Sequence, residues 1–116
     1  MEIRYSPKFK RQYKKLSEEI KSHAEKREAV FRKNPFDLRL KTHKLHGSQD
    51  GFMSFSVDYS YRIIFEFYNA DTVIFYEIGT HDIYEWFFRK IKSRAEVARD
   101  AFLAEVLFVV FFGQNA

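Results

Sequence analysis

YRIIFEF at residues 61–67 and VIFYEI at residues 73–78 are the two runs that decide the fold of this chain. Both runs are rich in β-branched and aromatic residues, which are typical of β-strands. The five residues between them, 68–72, include Asn and Asp, which favour turns. We therefore predict a β-hairpin at the centre of a sheet. Because both runs are almost continuously apolar, we expect both faces of that sheet to be covered, with the hairpin aromatics in the core: Phe65, Phe67, Phe75 and Tyr76.

A single arginine, Arg62, stands near the start of the first run. Burying a guanidinium costs several kcal/mol, roughly, unless the group is paired. Two interpretations follow. Arg62 either forms a structural ion pair with a nearby carboxylate, or it faces a groove. The candidate carboxylates for the ion pair are Asp58, Glu66 and Glu77.

The composition limits the class of protein. With 116 residues the chain has room for one core but not for two, and without cysteine it has no disulfide, cysteine metal site or thiol nucleophile. Its first residues lack an apolar signal region. The apolar run at residues 101–112 is interrupted by Glu105 and is too short to span a bilayer. The expected location is therefore the cytoplasm.

The positive charge is concentrated in the first part of the chain. Residues 1–46 carry 14 Lys and Arg against 6 Asp and Glu, a balance of +8, whereas residues 47–116 carry 6 against 10, a balance of −4. Clustered cations favour a polyanionic partner such as a nucleic acid. The alternative is that the lysines only keep surface helices in solution.

Local signals give the order of the remaining elements. Glu2–Tyr5 alternates polar and apolar residues and predicts a first strand. Ser6-Pro7 is a helix start, Ser17 is a second cap, and Asn34-Pro35 is a stop, so we expect a helical hairpin or one kinked helix. An alternating strand follows at residues 52–57. The prediction is an α+β fold, with two N-terminal helices packed on a twisted antiparallel sheet of about four strands, plus a C-terminal helix.

The end of the chain is unusually apolar. Residues 106–112 would be an aggregation hazard if they were exposed. They are therefore expected to be buried within the fold, in a homodimer, or against a partner. We divide the chain into a domain at residues 1–94 and an extension of unassigned role at residues 95–116.

Four segments, in this order, resemble motifs of the RelE/ParE superfamily of toxins. The resemblance covers roughly residues 1 to 92. The segments are similar to the first helix, the loop before the sheet, the central strand, and the last strand with its tail: residues 5–16 (YSPKFKRQYKKL), residues 44–47 (KLHG), residues 61–65 (YRIIF) and residues 78–84 (IGTHDIY).

This resemblance implies the toxin of a type II toxin–antitoxin pair, with an antitoxin as its partner. The RelE branch comprises ribosome-dependent endoribonucleases, in which a ribose 2′-hydroxyl attacks the adjacent phosphate of mRNA without a metal or other cofactor. The ParE branch instead poisons DNA gyrase. We prefer the RelE branch. The alternatives are a ParE-like toxin without nuclease activity, or an inactive module that only forms dimers through its apolar tail.

Site residues follow from the same resemblance. Arg62 matches the arginine that holds the phosphate, His81 matches a histidine that transfers protons, and Tyr84 lies near an aromatic that contacts the scissile region. Without the resemblance, the local sequence predicts that His81 is a turn histidine and that Tyr84 is a core residue. Loop residues Lys44 and His46 are expected to assist, although Lys44 also reads as a solvated cation.

From charge alone, the first helix is expected to contact ribosomal RNA through five residues: Lys8, Lys10, Arg11, Lys14 and Lys15. One departure from the family concerns proton transfer. Some members carry a glutamate base upstream of the loop, where this chain offers only Asp37 and Arg39. Proton transfer is therefore assigned to His81 together with His46 or His43. The two loop histidines lack a third ligand at suitable spacing, so we expect no metal site.

Overall fold

A five-stranded sheet with two helices on one face forms the framework of the computed structural model, which describes residues 1–45, 51–84 and Phe87. The helices are α1 (Pro7–Lys14) and α2 (Glu18–Lys33), followed by a 3₁₀ turn at Leu38–Leu40. The strands stand in the order β1-β5-β4-β3-β2. Their bounds are β1 (Glu2–Tyr5), β2 (His43–Lys44), β3 (Met53–Ser56), β4 (Arg62–Phe67) and β5 (Thr72–Gly79).

The α+β prediction is confirmed, with two corrections to the sheet. It has five strands rather than about four, because His43 and Lys44 pair with Ser54 and Met53 as a short edge strand. It is also mixed rather than antiparallel, because β1 lies parallel to β5. Parallel neighbours need a long connection between them, and the whole chain from α1 to β4 provides it.

The helix boundaries follow the capping residues that the sequence predicts. The Ser6 hydroxyl oxygen accepts a hydrogen bond from the Phe9 N–H at 2.9 Å, and the Ser17 hydroxyl accepts one from the Ile20 N–H at 3.2 Å. α2 ends at Lys33, immediately before Asn34. Of the two forms left open, the structure shows two separate helices.

An aromatic core fills the space between the helices and the sheet. Phe31 of α2 is fully buried, with its ring centroid 4.9 Å from that of Phe55, 5.0 Å from that of Phe65 and 5.4 Å from that of Phe75. The prediction that Phe67 belongs to the core is wrong. Its side chain is 37% exposed, because it lies at the end of β4 beside the likewise exposed Phe36.

The opposite face of the sheet is covered as well, as the apolar strands predict. This second cluster includes Ile64, Ile74 and Tyr76 from the two central strands. Residues 82–84 and Phe87 are helical, and Ile83 and Phe87 pack onto the same cluster. The proposed C-terminal helix therefore begins as expected, whereas its continuation and the apolar extension at residues 95–116 lie outside the described residues. Within the described ranges no helix is long and apolar enough to cross a membrane.

Candidate functional site

Arg62 begins β4 between Ser56 of β3 and Gly79 of β5 in the strand register. Side chains alternate between the two faces of a strand. Ile63 packs in the core under the helices, and Ile64 packs in the cluster on the opposite face. Arg62 therefore lies on the sheet face opposite the two helices.

Backbone carbonyls, not carboxylates, hold the Arg62 guanidinium. Its Nη1 atom donates hydrogen bonds to the carbonyl oxygens of Asp58 at 2.6 Å, Tyr59 at 3.2 Å and Tyr61 at 3.0 Å. No ion pair joins Arg62 to any carboxylate among the described residues. The predicted structural ion pair is therefore not present among the described residues, and the charge of Arg62 is balanced only by carbonyl dipoles.

The three carboxylates considered as partners of Arg62 have other neighbours. The Asp58 carboxylate contacts His23 Nδ1 at 3.1 Å, and the Glu66 carboxylate accepts a hydrogen bond from the Tyr76 hydroxyl at 2.9 Å. The Glu77 carboxylate lies 3.1 Å from the Lys8 ammonium. All three are thus engaged away from the guanidinium.

Gly79 allows the chain after β5 to fold back tightly. A Cβ atom at this position would overlap the Cγ2 atom of Ile83, so a side chain here would require the Ile83 side chain to move. The Ile83 N–H donates to the Thr80 carbonyl at 3.0 Å, and the Tyr84 N–H donates to the His81 carbonyl at 3.1 Å. This turn brings His81 towards the start of β4.

Arg62 and His81 line one open cleft of about 560 Å³. One wall is the turn between β3 and β4, and the other is the segment that follows β5. His81 is exposed and Arg62 is half-buried. A permanent cation and an imidazole therefore share a solvent-accessible surface, a combination that suits an anionic ligand on which protons must be moved. The cleft is completed by four further residues: Tyr59, Ser60, Thr80 and Asp82.

Tyr84 lies beside this cleft. Its ring centroid is 5.8 Å from that of His81, and its hydroxyl oxygen is 2.5 Å from the Ser54 hydroxyl oxygen. Burial raises the pKa of the Tyr84 phenol above its ordinary value, and the hydrogen bond with Ser54 and the charge of Arg62 offset this only in part. Tyr84 therefore stays protonated at neutral pH and is suited to donate a hydrogen bond rather than to act as a base.

The register of the edge strand β2 puts the side chains of Lys44 and His43 on opposite faces of the sheet. Lys44 pairs with Met53, whose side chain packs against the core under the helices. His43 pairs with Ser54 and so lies on the face of Arg62 and Tyr84. Since directly paired residues share a face, the geometry favours His43 over Lys44 as a site residue. His46, the other loop residue of the predicted site, lies outside the described residues.

Ser54 is the residue near Arg62 that sequence reasoning missed, whereas His43 was already an alternative to His46 for proton transfer. The period-two alternation of residues 52–57 already placed Ser54 and Ser56 on one face. What the sequence did not reveal is that this face is the one that carries Arg62.

The five basic residues predicted for RNA contact have different surroundings. Lys8 is turned inwards, because it pairs with Glu77, whose side chain is only 4% exposed. Burial raises the pKa of Glu77, and Lys8 and Gln12 work against this rise. The other four residues are exposed: Lys10, Arg11, Lys14 and Lys15.

Asp37, the acid nearest to the position of the missing glutamate, is held by Arg39. The Arg39 side chain donates two hydrogen bonds of 2.9 Å to its carboxylate, and these together with the Arg39 N–H lower the pKa of Asp37 to about 2. A carboxylate with so low a pKa is a weak base. Within the described parts of the chain, no group of three or more His, Asp or Glu residues is arranged to hold a metal ion.

No protein-family model and no curated protein matches the sequence. Several solved structures match the fold. YafQ from E. coli strain BL21(DE3) has a TM-score of 0.59 and 20% identity, with 71% of this chain and 94% of YafQ covered. A YoeB/ParE toxin from Agrobacterium tumefaciens has a TM-score of 0.60 and 13% identity, with 70% and 99% covered.

A third match is to the RelB–RelE antitoxin–toxin complex from Methanococcus jannaschii. It has a TM-score of 0.57 and 23% identity, with 72% of this chain and 98% of the matched chain covered. At such identities the likeness concerns the fold. These matches, together with the four sequence motifs, show that this chain has the fold of the RelE/ParE toxin superfamily.

Proposed function

We propose that this protein is the toxin of a type II toxin–antitoxin pair and that it cuts mRNA on the ribosome. The observation that carries the proposal is the cleft in which Arg62, unpaired with any described carboxylate, faces solvent together with His81. Cleavage of a phosphodiester requires charge stabilisation and proton transfer, which a cation and an imidazole in one cleft can supply, whereas inhibition of gyrase through protein contacts requires neither.

In the proposed reaction a ribose 2′-hydroxyl attacks the adjacent phosphorus atom. The O2′–P bond forms, the P–O5′ bond breaks, and the products are a 2′,3′-cyclic phosphate and a 5′-hydroxyl. One proton leaves the 2′-hydroxyl and one reaches the departing 5′-oxygen. Because the nucleophile belongs to the substrate, we assign no metal or other cofactor.

Arg62 has the chemistry to bind the reacting phosphate. Its Nη1 atom is engaged with the turn carbonyls, which leaves Nε and Nη2 to donate to two phosphate oxygens. The phosphate gains negative charge in the transition state, where a guanidinium already in place stabilises it most. Tyr84, a phenol at neutral pH whose ring lies beside His81, is assigned to donate a hydrogen bond to the substrate.

His81 is assigned to proton transfer. We expect His81→Ala to lower the single-turnover cleavage rate by about 10²–10⁴-fold, because general acid–base catalysis contributes that much. The rate is measured at saturating ribosomes, with the folded fraction checked by circular dichroism. An unchanged rate would remove His81 from the mechanism.

The second proton-transfer group is found with a matched pair of variants, His43→Ala and His46→Ala. His43 shares the face of Ser54, so we expect the larger loss from His43→Ala. A larger loss from His46→Ala would assign the role to the loop instead.

The exposed face of α1 is the proposed contact with ribosomal RNA. We expect the triple variant Arg11→Ala/Lys14→Ala/Lys15→Ala to weaken ribosome binding and to reduce the slope of log K against log salt by about 0.7–0.9 per lost phosphate contact. Lys33→Ala, which removes an exposed charge at the far end of α2, serves as the control. Affinity that does not depend on salt would contradict this contact.

An antitoxin is the proposed partner, since structures that share this fold come from DinJ–YafQ and RelB–RelE complexes. A homodimer through residues 95–116 remains a prediction.

Primer extension on a translated message tests the proposed function. We expect cuts within codons that appear only when ribosomes translate the message, and no cuts in the same RNA without ribosomes. Growth arrest with intact message and induced DNA damage would instead indicate a gyrase poison. Normal growth with intact message would indicate the third alternative, an inactive module that only forms dimers.

A further inference from the structure

The turn between β3 and β4 is built on one carboxylate oxygen. Asp58 Oδ1 accepts hydrogen bonds from the N–H groups of Ser60 at 2.9 Å and Tyr61 at 2.8 Å. This is the way in which Asp side chains close a turn on their own backbone. The same turn supplies the three carbonyls that hold Arg62 Nη1, those of Asp58, Tyr59 and Tyr61.

The other carboxylate oxygen connects the turn to the helical layer. Asp58 Oδ2 lies 3.1 Å from His23 Nδ1, on α2. One helical turn further along α2, Arg27 Nε donates to the Val57 carbonyl at 3.3 Å. Burial opposes ionisation of Asp58, but hydrogen bonds from the Tyr61 N–H, from His23 and from the Ser60 N–H outweigh it and lower the pKa of the carboxyl. Asp58 is therefore ionised at neutral pH and accepts bonds on both oxygens.

We propose that Asp58 is a positioning residue for Arg62. Oδ1 fixes the turn so that its carbonyls converge on Nη1, and Oδ2, through His23, fixes the turn to α2. The guanidinium is thereby held with its remaining donors directed to the cleft before any ligand arrives. The catalytic consequence rests on the proposed function, whereas the orientation of Arg62 does not.

Positioning matters here because a guanidinium on a flexible stem loses conformational freedom when it is held. Three carbonyls that hold it in the free protein remove that cost from the binding step. A displacement of about 1 Å in a positioned group lowers catalysis by roughly 10²-fold. Asp58 touches neither the proposed substrate nor Arg62 through its own carboxylate, so its effect passes through the turn.

The two oxygens have separate tasks, and a comparison of variants that affect only the His23 contact with variants that affect both oxygens separates these tasks. Asp58→Asn keeps an acceptor for the Ser60 and Tyr61 N–H groups but changes the atom that meets His23. His23→Ala removes only the link to α2. Asp58→Ala removes both, and Asp58→Ser, whose hydroxyl closes such a turn more weakly, gives a graded version if the alanine variant does not fold.

Two measurements are made on every variant. The first is the ¹H–¹⁵N resonance of Arg62 Nε, which reports the environment of the guanidinium without any substrate. The second is the single-turnover rate at saturating ribosomes, corrected for the folded fraction. We expect the shift of the Arg62 resonance and the loss of rate to increase in the order Asp58→Asn, Asp58→Ser, Asp58→Ala. Asp58→Ala should lower the rate by about 10²-fold, and Asp58→Asn and His23→Ala should each cost less than tenfold.

A purely structural role for Asp58 predicts something else. Loss of activity would then follow the free energy of unfolding, and the Arg62 resonance of the folded fraction would not move. That result, or equal losses in Asp58→Asn and Asp58→Ala, would overturn the proposal.

The two proposals fail in distinguishable ways. A wild type that cuts no message, with an Arg62 resonance that still moves from Asp58→Asn to Asp58→Ala, would refute the nuclease and support the positioning role. A wild type that cuts the message, together with Asp58→Ala and Asp58→Ser variants that are as active as the wild type and have unmoved Arg62 resonances, would support the nuclease and refute the positioning role.

Discussion

Arg62→Ala is expected to lower ribosome-dependent cleavage by about 10²–10³-fold, the usual cost of removing one preorganised donor to a developing charge. The substitution removes the only Lys or Arg among the described residues that line the cleft shared with His81. It also removes the guanidinium donor from the turn carbonyls. The Tyr61 carbonyl still accepts from the Val57 N–H at 2.9 Å, and the Asp58 and Tyr59 carbonyls lie at a partly exposed surface where water can replace the donor.

Arg62→Lys is the matched control for this result. It keeps the positive charge but loses the planar fork that binds two oxygens at once. We expect Arg62→Lys to recover only a small part of the lost rate, because a single ammonium cannot bind the turn carbonyls and the phosphate together. Full recovery would mean that charge alone matters.

The measurement is primer extension or single-turnover cleavage with ribosomes in excess, so that binding and chemistry are separated. Urea denaturation of both variants shows whether stability has changed. An Arg62→Ala protein that is as stable as the wild type and cuts equally fast would refute the phosphate-binding role.

Phe31→Ala is expected to lower the free energy of unfolding by about 3–5 kcal/mol, the usual range for truncating a buried phenylalanine. Phe31 is fully buried and its ring contacts three others, those of Phe55, Phe65 and Phe75. It is the side chain through which α2 packs on three strands, so its removal leaves a cavity that neighbouring rings cannot fill without moving.

Phe36→Ala provides the control, because Phe36 is the same residue type but is 57% exposed. Its truncation should change the stability by less than about 0.5 kcal/mol. Both values come from urea denaturation, with the midpoint and the slope reported separately. A loss below about 1 kcal/mol for Phe31→Ala would show that the site relaxes to fill the cavity.

Local sequence signals predicted the elements of this fold well. Ser6 and Ser17 predicted both helix starts and Asn34 predicted the end of α2, because capping depends on residues only three or four positions apart. The apolar runs around Arg62 predicted the central hairpin for the same reason, since β4 and β5 are joined by a short turn. The motif order predicted the toxin fold.

Contacts between distant parts of the chain were not predictable in the same way. Nothing near Glu2–Tyr5 indicates that β1 lies parallel to β5, because its partner stands some 70 positions later. Lys8 looked like one more surface cation, yet it pairs with the buried Glu77. Phe67 was predicted to be a core residue, yet it lies partly exposed at the end of β4, beside the exposed ring of Phe36.

The sequence by itself predicted the two helices, the central hairpin and the face on which Ser54 lies, and it singled out Arg62 and His81 as candidate site residues. Only the tertiary structure decided that Arg62 is held by carbonyls and not by a carboxylate, and that His43 rather than Lys44 shares its face. The physical reason is range: capping and alternation act over a few residues, whereas ion pairing and strand register depend on which distant residues the packed core brings together.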